Sequence, residues 1–137
     1  MAKEIITPPG VFDSRKKYKY AQAIKAGNII FLAGQVAWDE NGNVVGKGDY
    51  DVQLRQIFEN IKRTLAAAGA QMSDIVWMLW LHKDIRDSTR SGIGGRYSPV
   101  WKEYFGDHEP PGTRIQVAAL GQPDLLLEVQ VIAIVDK

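Results

Sequence analysis

TRIQVAAL at residues 113–120 and LLLEVQVIAIV at 125–135 are two apolar runs, and each carries polar groups where a strand core is expected. Strand alternation puts Arg114 and Gln116 on one face of the first run, and Glu128 and Gln130 on one face of the second. If those faces meet, an arginine and a carboxylate share a sheltered site. Taken alone, the two runs fit half-exposed strand residues or a structural ion pair better.

Working upstream, DIVWMLWLHKD at 74–84 is apolar on both alternating faces, with Ile75, Trp77, Leu79 and Leu81 on one and Val76, Met78 and Trp80 on the other. That pattern predicts a strand buried on both sides. Before it, Leu54, Ile57, Phe58, Ile61 and Leu65 recur at helical spacing, with Asp51 as the expected cap and Gly69 as the stop. YAQAIKAGNIIFLAGQVAW, from Tyr20, reads as two strands broken by a turn at Ala26-Gly27-Asn28. RYSPVWKEYFG suits a second helix, with Pro99 in its first turn and Gly106 at its end. The order is two strands, a helix, a strand, a helix and two strands. Residues 1–19, with Pro8, Pro9 and Gly10, are expected to form an irregular arm, and 20–137 one domain. The basic cluster Arg15–Lys19 in that arm reads as a solvated, charged turn.

Two helices cover one face of such a sheet, yet the central and C-terminal strands are apolar on both. A second copy of the chain is the expected cover for the other face.

Composition bounds the function. The 137 residues are 45% hydrophobic and 24% charged, with a formal net charge of +1. Near-neutrality gives little long-range attraction for polyanions, so nucleic acid would need a local patch. With no cysteine there are no disulfides, cysteine nucleophiles or thiolate metal sites. The first residues lack a signal-peptide pattern, and no run approaches the about 18 apolar residues of a membrane span. A cytoplasmic protein with no membrane partner is expected.

Most local motifs dissolve on inspection. Gly92, Gly94 and Gly95 lack the rest of a phosphate loop and read as a flexible connection. His82 is expected to cap a strand end and His108 to lie in a loop; the two are too few and too far apart to propose a metal site. Trp38, Trp77, Trp80 and Trp101 read as core or interface, and no GxSxG elbow occurs. Tyr20 and Glu128 remain as candidates for chemistry. A carboxylate flanked by Leu125, Leu126, Leu127, Val129 and Val131 has its pKa raised if desolvated, which suits proton transfer near neutral pH. Alternatively, Arg114 holds it ionised.

YAQAIKAGNIIFLAGQ, Gln53 and Arg55 ahead of ENIKRTLAAAGA, DIVWMLWLHKDIRD, and RIQVAAL with LLLEVQVIAIV together resemble the RidA family, also called YjgF/YER057c/UK114. The resemblance runs from about Tyr20 to Val135. It implies a single-domain α+β fold of the chorismate-mutase-like kind, a mixed sheet with two helices on one face, assembled as a homotrimer with clefts between subunits. It also implies cofactor-independent hydrolysis of reactive enamines and imines to keto acids and ammonia. In that chemistry an arginine grips the substrate carboxylate, and a glutamate with a main-chain carbonyl holds the attacking water.

Carried over by position, the resemblance makes Glu128 and Tyr20 the catalytic candidates, and Gly34 and Ser98 the substrate-binding ones. The arginine does not carry over. Where active members read P-x-R-[ST]-x-V, this chain has Pro110-Pro111-Gly112-Thr113-Arg114-Ile115. Arg114 stands one strand period later, about 6.5–7 Å along the same face. It is the remaining candidate for a carboxylate clamp, and the shift implies a larger or differently shaped ligand. The segment between Lys83 and Trp101 is longer than the family spacing, and its glycines suggest a mobile flap. Three functions compete: an enamine or imine deaminase of altered range acting on a small carboxylate-bearing substrate in the intersubunit cleft, a non-catalytic sensor of small acids, and, ranked last, an endoribonuclease or translation inhibitor.

Overall fold

The computed structural model describes residues 2–88 and 98–136. Strands β1 (Lys3–Ile6), β2 (Ala23–Ala26), β3 (Ile29–Leu32), β4 (Ile75–His82), β5 (Gly112–Gln116) and β6 (Leu127–Ile134) form one sheet in the order β1-β2-β3-β6-β4-β5. Three helices accompany it: α1 (Ser14–Tyr18), α2 (Tyr50–Ala67) and α3 (Pro99–Phe105). Neighbouring strands are antiparallel except β4 and β5, which run parallel with α3 in their crossover. The fold is therefore α+β with a mixed sheet. Among the described residues no helix is long and apolar enough to cross a membrane.

The helix side is the core. The α2 residues Leu54, Ile57, Phe58, Ile61 and Leu65 are fully buried, each contributing about 1.5–3 kcal/mol of apolar transfer. They pack over Ile30, Met78, Trp80, Val129, Val131 and Ala133. Phe58 meets Trp80, Trp101 and Phe105 edge-on, which locks α3 to the sheet through α2. The Arg55–Glu103 ion pair ties the same two helices at the surface. Asp49, not Asp51, caps α2, accepting from the Val52 amide at 3.1 Å. Asp51 is free to hold the start of α3 instead. Gly69 ends the helix at φ +81°, a left-handed conformation that favours glycine.

The other face is open. One row crosses the sheet through Ile5, Ile24, Phe31, Ile132 and Trp77, and Ile5 and Phe31 are each 49% exposed. Beside it lie the rows Gln130–Leu79–Thr113 and Glu128–Leu81–Ile115.

Several expectations need correction. Residues 1–19 are not irregular: Glu4-Ile5-Ile6 alternates well enough to pair with Lys25-Ile24-Ala23, and the Asp13 side chain caps α1. A bulge between Ile75 and Trp77 moves Ile75 onto the face of Met78 and Trp80, so strict alternation failed at the start of β4. His82 caps nothing; it is buried, with Nε2 2.9 Å from the Tyr50 hydroxyl oxygen. The glycine-rich segment 91–95, read as a flap, lies outside the described residues.

Candidate functional site

Glu128 is the second residue of β6, and its parity turns it to the open face while Leu127 and Val129 enter the core. Next to it the chain leaving β3 bends at Ala33-Gly34-Gln35. Gln35 exchanges both backbone hydrogen bonds with Val129, at 2.7 and 3.0 Å, which pins Gly34 over the Glu128 side chain. The contact is so close that a Cβ on residue 34 would lie 1.9 Å from Glu128 Oε2. Only glycine admits the carboxylate there.

Tyr20 arrives from the other side. The Ser14 hydroxyl donates to the Tyr20 carbonyl at 2.8 Å, and the buried Gln22 side chain donates to Ser14 Oγ and to the Phe12 carbonyl, each at 3.1 Å. Gln35 Nε2 closes the network on Gln22 Oε1 at 2.7 Å. The far wall, Val36 to Trp38, is held by α2: Asn60 Nδ2 donates to the Val36 and Trp38 carbonyls at 3.2 and 3.0 Å. Gln53 clasps the β5–β6 connection, donating to the Asp124 carbonyl and accepting from the Leu126 amide, both at 2.8 Å.

Between these walls lies a cavity of about 290 Å³, lined by Tyr20, Ala33, Gly34, Val36, Trp38, Gly121, Leu125 and Glu128. Burial raises the Glu128 carboxyl pKa above its ordinary value. Burial also raises the Tyr20 phenol, and the nearby Glu128 charge adds to that rise. The cavity thus offers a carboxyl whose proton is mobile closer to neutrality, opposite a phenol that stays protonated.

Three of the five expected residues come together: Glu128, Tyr20 and Gly34. The other two do not line the cavity. Ser98 caps α3, accepting from the Val100 amide at 3.1 Å and donating to Asp51 Oδ1 at 2.6 Å. Arg114 is in register with Trp80 and, through it, Val129, so it sits on the helix face, opposite in parity to Glu128. Its guanidinium lies 4.6 Å from the centre of the Trp80 ring. The faces of Arg114 and Glu128 do not meet within one protomer, because β4 stands between their strands. At Gly112, a Cβ would lie 2.3 Å from the Met78 carbonyl oxygen, so the backbone path excludes any side chain there.

Trp38, Val36 and Leu125 were missed as cavity residues. Trp38 was read as core or interface, and only its place three residues after Gln35, at the end of the strand-exit bend, could have marked it. Among the described residues no three His, Asp or Glu side chains group as a metal site.

Residues 14–135 match the family model described as Endoribonuclease L-PSP. A RutC family protein of Pyrococcus horikoshii is 39% identical over 114 residues, 83% of this chain and 85% of the relative. The 3-aminoacrylate deaminase RutC of Acinetobacter baylyi is 34% identical over 133 residues, 97% of this chain and 98% of that one. The crystal structure of YyfA, a Rid-family protein of Yersinia pestis, superposes with a TM-score of 0.83 at 27% identity, covering 98% of this chain and all of its own.

Proposed function

The chain belongs to the Rid (YjgF/YER057c/UK114) family, and on that footing we propose that it hydrolyses a carboxylate-bearing enamine or imine to the 2-keto acid and ammonia. The observation that carries this reading is the pairing of Glu128, raised in pKa by burial, with Tyr20 across a cavity shaped by the bare Cα of Gly34. The relative named as a 3-aminoacrylate deaminase spans almost the whole chain and supports the reaction class.

The enamine first tautomerises to the imine. Glu128 orients a water and takes its proton as the oxygen attacks the carbon of the protonated imine, giving a neutral carbinolamine. Glu128 returns that proton to the nitrogen, ammonia leaves as the C=O bond forms, and the carboxylate takes the hydroxyl proton and passes it to the departing ammonia, leaving the keto acid and ammonium. Tyr20, protonated throughout, donates a hydrogen bond to the substrate. No cofactor enters these steps, and most of the gain is the placement of water against an electrophilic carbon.

The working form in this proposal is a cytoplasmic homotrimer. The open apolar row through Ile5, Ile24 and Phe31 supports self-association, and the Glu128 row lies on the same face, beyond the Gln130 row. Arg114 meets the cavity only if the edge strand β5 of a second copy brings it there. A sensor of small acids is the second reading, favoured by the exclusion of any side chain at Gly112.

The test is ammonia release from 2-aminoacrylate generated in place, comparing wild type with Glu128→Gln and Tyr20→Phe. Turnover that falls about 10²–10⁴-fold in Glu128→Gln is expected. No turnover by folded wild type of this or larger enamines sinks the reading and leaves the sensor.

A further inference from the structure

We propose that the wall formed by Tyr18, Tyr20 and Trp38, with the lysines of α1 beside it, selects an anionic substrate whose side chain is a flat aromatic or conjugated group. The imine-hydrolase reading supplies the reacting group; the preference for a planar side chain rests on the cavity.

Tyr20 and Trp38 line the cavity, and Tyr18 stacks on both of these rings. Tyr18 lies 5.7 Å from Trp38 at an interplanar angle of 22°, and 6.4 Å from Tyr20 at 26°. Tyr18 therefore extends the aromatic surface of the two rings that line the cavity. Phe12 backs Trp38 edge-on at 5.3 Å, and Trp38 Nε1 donates to Gln122 Oε1 at 2.5 Å, so the indole is fixed from two directions. Tyr18 remains 45% exposed although it contacts three other rings, Phe12, Tyr20 and Trp38. The cavity volume, about 290 Å³, lies just under the about 300–1,000 Å³ range of small-molecule pockets. A three-carbon acid leaves much of it unfilled.

Segment 15–20, which carries two of the rings, is charged with one sign. Arg15, Lys16, Lys17 and Lys19 are all exposed, and among the described residues none has an ion-pair partner. Lys17 Nζ sits 5.3 Å from the centre of the Tyr18 ring. Lys19, between the two stacked tyrosines, is the one non-glycine residue with positive φ among the described residues, at +63°. That turn reverses the chain after α1 and brings rings two residues apart into contact. Gly112 cannot carry a side chain and Arg114 lies on the other face; among the described residues, Lys17 and Lys19 are the cations placed beside the Tyr18 and Tyr20 rings. The segment is thus more than a solvated turn.

Binding and turnover separate this inference from the reaction itself. Titration calorimetry with the unreactive products phenylpyruvate and pyruvate is expected to show at least tenfold tighter binding of phenylpyruvate. Tyr18→Ala should erase most of that preference, and Tyr18→Phe, which keeps the ring, should retain it. Lys17→Ala with Lys19→Ala should weaken phenylpyruvate several-fold and flatten its salt dependence. In turnover, the ratio of kcat/KM for the imino acids made in place from phenylalanine and from alanine should fall about tenfold in Tyr18→Ala. Equal binding of the two keto acids, or a preference untouched by Tyr18→Ala, overturns the inference. So does salt-sensitive binding of single-stranded RNA that needs Tyr18 while phenylpyruvate is ignored. If phenylpyruvate is preferred through Tyr18 but neither imine yields ammonia, the hydrolase reading fails and the ligand class stands.

Discussion

Gly34→Ala separates the position of the Glu128 carboxylate from its chemistry. The added Cβ would lie 1.9 Å from Glu128 Oε2, 2.7 Å from Cδ and 3.1 Å from Cγ. An ordinary carbon–oxygen contact is about 3.3 Å or more, so the oxygen must retreat by about 1.4 Å. The atom that must move is the end of a flexible side chain bordering a cavity, and the backbone at 34 is not in the left-handed region. Forcing Glu128 off its rotamer costs about 0.5–1.5 kcal/mol, offset in part by about 0.4–1 kcal/mol from a stiffer unfolded chain. Stability should therefore change by less than about 1 kcal/mol, a few degrees in Tm. Catalysis should not be spared: a displacement near 1 Å costs about 10²-fold in rate, or about 2.7 kcal/mol of barrier. Ammonia-release kinetics and thermal melts on Gly34→Ala, Glu128→Ala and the double variant form a cycle. Once Glu128 is cut back to alanine, the second change should lower activity no further. Wild-type kcat/KM in Gly34→Ala, or a loss that persists undiminished in the Glu128→Ala background, refutes the reasoning.

The pH profile of kcat/KM should show an acid limb above the ordinary carboxylate range, since burial raises Glu128 and its ionised form is the base; the limb should vanish in Glu128→Gln. The same shift makes ionised Glu128 a cost to the fold, absent at acid pH and present once pH rises through its folded pKa, so Glu128→Gln should melt higher than wild type at neutral pH and not at pH 4. His82 works in the opposite sense. Burial, with help from the Arg114 charge, lowers it to about 4, so the unfolded chain binds a proton that the native state refuses as pH falls below about 6.5. Wild type should lose on the order of 3 kcal/mol between pH 6.5 and 4 by urea titration, and His82→Gln should lose less over that window. Phe31→Lys, at the centre of the open row, should dissociate the proposed homotrimer in light scattering while leaving far-UV circular dichroism unchanged.

The helix periodicity of 54–65 and the hairpin at Ala26-Gly27-Asn28 were legible because each depends on a few neighbouring residues. Tyr20 and Glu128 stood out as candidates from the residues, though alternation alone left the role of Glu128 ambiguous; Gly34 was legible only through the ordered resemblance. The bulge at the start of β4 was not legible, since Ile75, Val76 and Trp77 are all apolar and suit either register. Nor was the aromatic wall: Tyr18 and Trp38 are twenty positions apart, and what joins them is the left-handed turn at Lys19 with the Asn60 clasp on Val36 and Trp38.

Arg114 and Glu128 were expected to share a site if consecutive strands lay side by side. Consecutive strands do neighbour one another in roughly two cases in three, but here β4 intervenes, antiparallel to β6 and parallel to β5. The insertion fixes parity as well as distance. Trp80 pairs with both Arg114 and Val129, so the arginine inherits the helix face, while Leu81 pairs Ile115 with Glu128 on the open one. No rotamer carries the guanidinium through the sheet. Gly112→Arg should not supply the clamp either: its Cβ meets the Met78 carbonyl at 2.3 Å, and moving that backbone breaks the hydrogen bond that the Met78 N–H donates to the Pro111 carbonyl. A loss of about 1–3 kcal/mol with no gain in affinity for a keto acid is expected from denaturation and calorimetry. A tighter-binding, equally stable Gly112→Arg variant would show that β5 shifts freely, and that the anion is held from the sheet edge rather than by the lysines of α1.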